Sequence, residues 1–174
     1  MPLFIPPIDA GAINVPPLVY NSETNNTVEK ENKTYQSVAW AAFYSLLVIF
    51  VIIVAVILLP GLNKLLIGDV SLLVTGLVLI LLGSSLIIFT IKGKIAKPLR
   101  HFLLLTGASI IGIPICILLH NLVYGSFIFL LGENFWKGGD EPFFFIMALI
   151  VFPITFIVGS VASIIINIRQ RSLV

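Results

Sequence analysis

The stretch that decides the fold runs from residue 102 to residue 131 and reads FLLLTGASIIGIPICILLHNLVYGSFIFLL. It contains no Asp, Glu, Lys or Arg, and about 20 apolar residues are enough for a helix to cross the hydrocarbon core of a bilayer. Three more runs of the chain share this character. The sequence therefore predicts an all-α membrane protein with short loops and four transmembrane helices, at about 38–59, 70–91, 102–124 and 142–167.

The composition agrees with a membrane protein. Hydrophobic residues make up 59% of the 174-residue chain and charged residues 10%, and the mean hydropathy is +1.13. These values lie outside the usual range of soluble domains. The net charge of +2 is too small to indicate nucleic-acid binding. The expected partners are the lipid bilayer and other membrane protein subunits, with no nucleic acid.

Lysine and arginine are distributed unequally between the two sides of the predicted membrane domain. Eight of the ten lie in the N-terminal segment, the loop 92–101 and the C-terminal tail, which four spans place on one side, and only Lys64 and Lys137 lie on the other. Positive charge favours the cytoplasmic side. We expect a multi-pass protein of the cell (plasma) membrane with both termini cytoplasmic and no cleaved signal peptide.

The third apolar stretch is too long for one straight span. We expect Gly125 and Gly132 to mark a break, with the helix ending near Tyr124 and Ser126–Leu131 lying partly in the outer membrane interface. Further along the chain, Asp140, Glu141 and Pro142 predict the N-cap, a first-turn acid and an early proline of the fourth helix.

The N-terminal segment has two parts. Residues 1–20 contain five prolines among many large apolar side chains, a composition that predicts an extended ribbon lying on a partner surface. Residues 21–36 are polar and are interpreted as a tether to the membrane domain, residues 37–174. The residues predicted to bind a partner are Phe4, Ile5, Ile8, Val15, Leu18 and Tyr20.

Small and polar residues recur every four positions on the third and fourth helices, where they favour close helix packing in a membrane. The predicted packing residues are Ala108, Gly112 and Cys116 on the third helix and Thr155, Gly159 and Ser163 on the fourth. A polar transport path along the same row is the alternative interpretation.

His120 is the ionisable residue of interest within the apolar stretches, and intramembrane ionisable groups are functional candidates. The simplest interpretation is a structural hydrogen bond to interfacial water or to the side chain of Glu133, Asp140 or Glu141. The alternative is a ligand or quinone contact formed by His120, Asn121 and Tyr124. His101 lies about 28 Å from His120 along one helix, so the two cannot hold one haem. No cofactor, metal ligand or catalytic residue is predicted.

Three segments of the C-terminal third carry a resemblance: His120-Asn121-Leu122-Val123-Tyr124-Gly125, Asp140-Glu141-Pro142-Phe143-Phe144-Phe145, and Val151-Phe152-Pro153 followed by Gly159. This arrangement resembles small uncharacterised prokaryotic four-helix membrane proteins. The resemblance implies the four-helix topology and no particular activity.

These observations favour a non-catalytic accessory or scaffold subunit of a larger membrane protein complex, docking through its transmembrane helices and N-terminal ribbon. The alternative is a small transporter, channel or quinone-site protein that acts as a homo-oligomer. An intramembrane enzyme is the third class, and the sequence contains the fewest features in its favour.

Overall fold

The computed structural model describes residues 22–59, 69–136 and 139–172, and all of their regular structure is helical. The predicted ribbon of residues 1–20 lies outside the described residues. Four helices are each long and apolar enough to cross a membrane, which confirms a multi-pass membrane protein. They are α1 (Ser22–Leu58), α2 (Asp69–Lys92), α3 (Lys97–Leu131) and α4 (Pro142–Arg171).

The polar segment before the first span differs from the predicted tether, because it is helical from Ser22 and continuous with the rest of α1. Side chains one turn apart support this helix. Lys33 Nζ lies 2.7 Å from Glu29 Oε1, and the Tyr35 hydroxyl donates to the Glu31 carboxylate. This part of α1 is therefore a stiff extension of the membrane domain.

α1 and α2 form an antiparallel pair, and the side chain of Gln36 fixes the end of this pair that lies at the turn between α2 and α3. Gln36 Nε2 donates to the Gly93 carbonyl over 2.8 Å, and the Tyr35 and Phe89 rings lie 5.9 Å apart. Because the Gln36 amide satisfies a carbonyl in the turn between α2 and α3, α1 holds that turn in place.

α2 and α3 cross at two glycines. A Cβ added to Gly83 would lie 2.6 Å from Ile111 Cγ1, and one added to Gly107 would lie 2.8 Å from Ile87 Cγ1. Any larger residue would push the two backbones apart, which is the packing that membrane helices commonly use. Neither glycine belongs to the rows that the sequence analysis identified.

The predicted break in α3 is wrong. The helix continues through Gly125 to Leu131, and Gly132, whose φ is +86°, follows as its C-cap. A break at Gly125 would leave backbone amides and carbonyls without partners close to the hydrocarbon region, where water is scarce. Gly132 adopts a positive φ that other residues rarely accept, so the second glycine ends the helix.

α3 extends beyond the helices on either side of it. Gly76 faces Pro114 just as Gly83 faces Gly107, so the start of α2 at Asp69 lies level with residue 121. Residues 122–131, which we call the α3 extension, therefore project about 15 Å past that level.

The fourth helix begins at Pro142, as predicted, but its N-cap lies one residue later than the predicted Asp140. Glu141 is the N-cap, and Pro142 follows in the first turn. Inside the helix, Met147–Val151 form a π-helical turn in which the Phe152 amide donates to the Met147 carbonyl. Pro153, which has no amide hydrogen to donate, follows directly. The sequence analysis did not predict this turn.

The apolar core lies in the half of the bundle near the α2–α3 turn. α3 is the central helix: 39% of its most apolar stretch is buried, against 17% in α1 and α2. Phe50 and Phe156 bring α1 against α4, with ring centroids 4.6 Å apart. The buried apolar residues that form the core are Ala39, Ala42, Phe43, Leu46, Leu79, Leu86, Ile95, Leu99, Leu103, Ile110 and Phe156.

Candidate functional site

The first part of the candidate site is the N-terminus of α4, where Glu141 caps the helix. Its Oε1 accepts from the Phe143 amide over 2.8 Å, and its Oε2 accepts from the Phe144 amide over 3.0 Å. Asp140 Oδ1 accepts from the Glu141 amide over 2.8 Å. A carboxylate suits this position because the first amides of a helix have no partners inside the helix. These hydrogen bonds fix Asp140 and Glu141 at the N-terminal end of α4.

His120 connects α3 to this capped end. Its Nδ1 lies 3.0 Å from the Glu141 carbonyl oxygen and 3.3 Å from Glu141 Oε2, and its Nε2 lies 3.4 Å from Asp140 Oδ2. The His120 side chain is only 14% exposed. The sequence analysis named Asp140 and Glu141 among three possible side-chain partners of His120, and the structure places both within reach.

The protonation of the imidazole decides which contacts are hydrogen bonds. If Nδ1 donates to the Glu141 carbonyl, Nε2 faces the carboxylate of Asp140. A carboxylate only accepts, so the second contact becomes a hydrogen bond when the ring carries both protons. The Asp140 side chain is 58% exposed, so this contact is open to replacement by a ligand or water.

Aromatic rings cover one side of His120 and of the α3 extension. Tyr124 stacks 6.4 Å from His120 and 6.0 Å from Trp136. The ring centroid of Phe127 lies 4.9 Å from that of Phe135, which belongs to the short helix Glu133–Trp136. The chain that leaves α3 therefore folds back on it before α4 begins.

The three predicted ligand residues do not form one cluster. His120 and Tyr124 lie side by side, whereas Asn121 is exposed and donates from Nδ2 to the Ile117 carbonyl over 2.9 Å. An apolar cleft of about 220 Å³ adjoins His120, and its other lining residues are Ile117, Phe145, Ala148 and Leu149. The last two lie in the π-helical turn of α4.

Two glycines of the predicted packing rows lie where α3 and α4 approach each other closely. A Cβ on Gly112 would lie 2.5 Å from the Phe152 ring, and Gly159 lies against the α3 backbone. Cys116 and Ser163 are buried. Ala108 is exposed, so its place in the packing row was wrong.

The residue beside Ala108 makes the contact instead. Ser109 donates to Thr155 Oγ1 over 2.8 Å, and Thr155 donates to the Val151 carbonyl over 3.0 Å. The sequence analysis missed Ser109, Glu141 as the N-cap, and Phe152. A spacing of three rather than four, from Ser109 to Gly112, is the signal that would have indicated Ser109.

The predicted partner-binding residues of the N-terminal ribbon, from Phe4 to Tyr20, lie outside the described residues. Within residues 22–59, 69–136 and 139–172, no group of three His, Cys, Asp or Glu side chains is arranged to hold a metal ion. Comparison with protein-family models, with curated proteins and with solved structures found no match.

Proposed function

We propose that this chain is a non-catalytic accessory or scaffold subunit of a larger membrane protein complex. The observation that carries the proposal is the α3 extension, because it presents large apolar side chains beyond the ends of the helices beside it. Leu122 is 64% exposed, Phe129 88%, Leu130 73% and Leu131 58%. Phe129 thus makes almost no contact with the described part of its own chain.

The length of α2 shows where these exposed side chains lie relative to the hydrocarbon core of the bilayer. Its 24 residues measure about 36 Å, and the hydrocarbon core of a bilayer is about 30 Å thick. The α3 extension starts at the level where α2 starts, so its tip reaches the headgroup region or lies beyond it. An exposed apolar cluster at that depth is typical of a protein interface.

In this proposal, the α3 extension docks on a membrane partner on one side of the bilayer, and the ribbon of residues 1–20 docks on the other side. The distribution of lysine and arginine supports a cytoplasmic location for both termini, in the plasma membrane. Polytopic insertion alone would leave the exposed side of the α3 extension, with Phe129 and Leu130, without a protein partner, whereas a second subunit would cover it.

The test is co-purification of a tagged chain from its native membrane in mild detergent. The double variant Phe129→Ala/Leu130→Ala loses two large side chains at about 1.5–2 kcal/mol each, so partner binding should weaken about 100-fold or more. The matched control is Leu77→Ala/Leu81→Ala, at two exposed positions in the middle of α2. The control should retain the partner. Equal recovery of the partner by both variants would contradict the proposal.

Deletion of residues 1–20 tests the second docking element. The truncated chain should still insert as a four-helix protein and should recover less partner than the full chain. Undiminished recovery would remove the ribbon from the proposal and leave the α3 extension as the docking surface.

A second candidate function is a small transporter, channel or quinone-site protein that acts as a homo-oligomer. The cleft beside His120 favours it, because π-helical turns such as the one lining this cleft often occur at functional sites. An apolar ligand with a polar head would displace Asp140 from His120 Nε2. If the co-purified material consists only of further copies of this chain, this second candidate is favoured over the accessory subunit.

A further inference from the structure

The end of the bundle opposite the α3 extension is strongly basic. α2 ends there, α3 begins there, and α4 ends there. Six of the ten lysine and arginine residues of the chain belong to this surface, which we call the basic end: Lys92, Lys94, Lys97, Arg100, Arg169 and Arg171.

No described carboxylate neutralises the basic end. Among the described side chains, none of its six cations lies within salt-bridge distance of an acidic group. Glu29 is paired with Lys33, and Glu31 accepts from Tyr35. Both glutamates lie on α1 about 7–11 Å further from the membrane than Gln36, which marks the level of the α2–α3 turn. The first turn of α3 also contains no acidic residue.

The segment around the α2–α3 turn, which carries Lys92, Lys94, Lys97 and Arg100, is held in a fixed position. Gln36 binds the Gly93 carbonyl, and Lys92 Nζ lies 5.7 Å above the centre of the Tyr35 ring. Ile95 and Leu99 are buried beneath the turn. The positive charges are therefore placed before any anion arrives, which lowers the entropy lost on binding.

Exposed apolar side chains lie directly beside the cations. Ile91 is 48% exposed next to Lys92, and Ile168 is 62% exposed next to Arg169. One turn earlier, Ile165 is 59% exposed. A soluble phosphate or a nucleic acid would match only the charge, whereas a phospholipid matches both features: its phosphate meets the cations and its acyl chains lie along the isoleucines.

We propose that the basic end binds the headgroups of anionic phospholipids. The proposal depends on membrane insertion and on the clustered charge, and it is independent of whether the chain is an accessory subunit. It also does not depend on which compartment the basic end faces, because each leaflet has a headgroup layer.

The test measures which lipids remain bound when the purified chain is transferred from mixed micelles to a mass spectrometer. The micelles contain equal amounts of phosphatidylglycerol and phosphatidylcholine. The unmodified chain should retain phosphatidylglycerol preferentially. The double variant Lys94→Gln/Arg169→Gln should lose most of this preference, since each cation near an anionic surface contributes about fivefold. Helix content, measured by circular dichroism, shows whether the variant is folded.

The matched control is Lys30→Gln/Lys33→Gln, which has the same net charge as the first double variant and removes cations of the polar first part of α1 instead. Its preference should be close to that of the unmodified chain. For the unmodified chain, 0.5 M salt should reduce the preference and added inorganic phosphate at equal concentration should not compete. No preference in the unmodified chain, an equal loss in both double variants, or full competition by inorganic phosphate would each overturn the proposal.

Discussion

Gly159 provides the sharpest test of how α3 and α4 pack. A Cβ added to Gly159 would lie 2.7 Å from Thr106 Oγ1 and 3.2 Å from both the Phe102 carbonyl oxygen and the Thr106 amide nitrogen. Two of these three atoms belong to the α3 backbone, which cannot rotate away. The Thr106 hydroxyl donates to the Phe102 carbonyl over 2.9 Å, so an added methyl group also disturbs that bond.

The expected magnitude follows from two opposing effects. Forcing one methyl group into a packed contact costs about 1–3 kcal/mol. Replacing glycine by alanine in a helix gains about 1 kcal/mol through a lower loss of backbone entropy. Gly125→Ala is the matched control, because an added Cβ at Gly125 meets nothing within 4 Å. Both variants gain the same helix propensity, so this gain cancels when their stabilities are compared. We expect Gly159→Ala to be less stable than Gly125→Ala by about 1–3 kcal/mol.

The assay is unfolding of the purified chain by increasing SDS in mixed micelles, followed by the fluorescence of Trp40 and Trp136. Gly125→Ala should unfold at the same SDS fraction as the unmodified chain or at a higher one. Gly159→Ala should unfold at a lower SDS fraction than Gly125→Ala. If Gly159→Ala were as stable as Gly125→Ala, the close approach of α3 and α4 at Gly159 would be refuted.

Two further predictions concern the site and the topology. His120→Gln should retain the association of α3 with α4, because an amide can replace one hydrogen bond. His120→Leu should weaken this association by about 1–2 kcal/mol in the same SDS assay. Equal stability of the two variants would show that His120 does not connect the two helices. In a Cys116→Ala background, cysteines at Ser37 and Ser172 should react with an impermeant maleimide from the cytoplasmic side only, and one at Asn134 from the opposite side only. Opposite labelling of Ser37 and Ser172 would exclude four spans.

The membrane-spanning helices could be predicted from the sequence because charge within a span is costly and its absence is visible residue by residue. The contact of His120 with the loop before α4 could also be anticipated. A partly buried imidazole near the membrane surface needs a partner, and Asp140 and Glu141 were among the few nearby choices.

Other features depend on neighbours that a single sequence does not reveal. Gly125 and Gly132 look alike in the sequence, yet only Gly132 lies where the chain leaves α3 and needs a positive φ. Gly83 became a crossing point because Gly107 lies opposite, and no local pattern relates the two. Ala108 fitted a four-residue spacing, but the face of α3 that meets α4 is set by Ser109 and Thr155.

The helical state of the polar part of α1 could not be predicted from its own sequence, for a different reason. Its polarity was interpreted as a tether, although Glu29 and Lys33 have the four-residue spacing that stabilises a helix. Pairs at that spacing contribute only about 0.2–0.5 kcal/mol each, too little to decide between helix and tether without the span that follows. Once that span is helical, adding turns to an existing helix avoids the cost of nucleation.

The proposal that this chain is an accessory subunit is tested most directly by the native mass of the tagged chain after gentle extraction from its own membrane. One chain has a mass of 19.0 kDa. We predict a defined assembly that contains other polypeptides. This assembly should be lost in Phe129→Ala/Leu130→Ala and retained in Leu77→Ala/Leu81→Ala. A mass equal to one chain, or to a whole number of copies of this chain alone, would contradict the assignment as an accessory subunit.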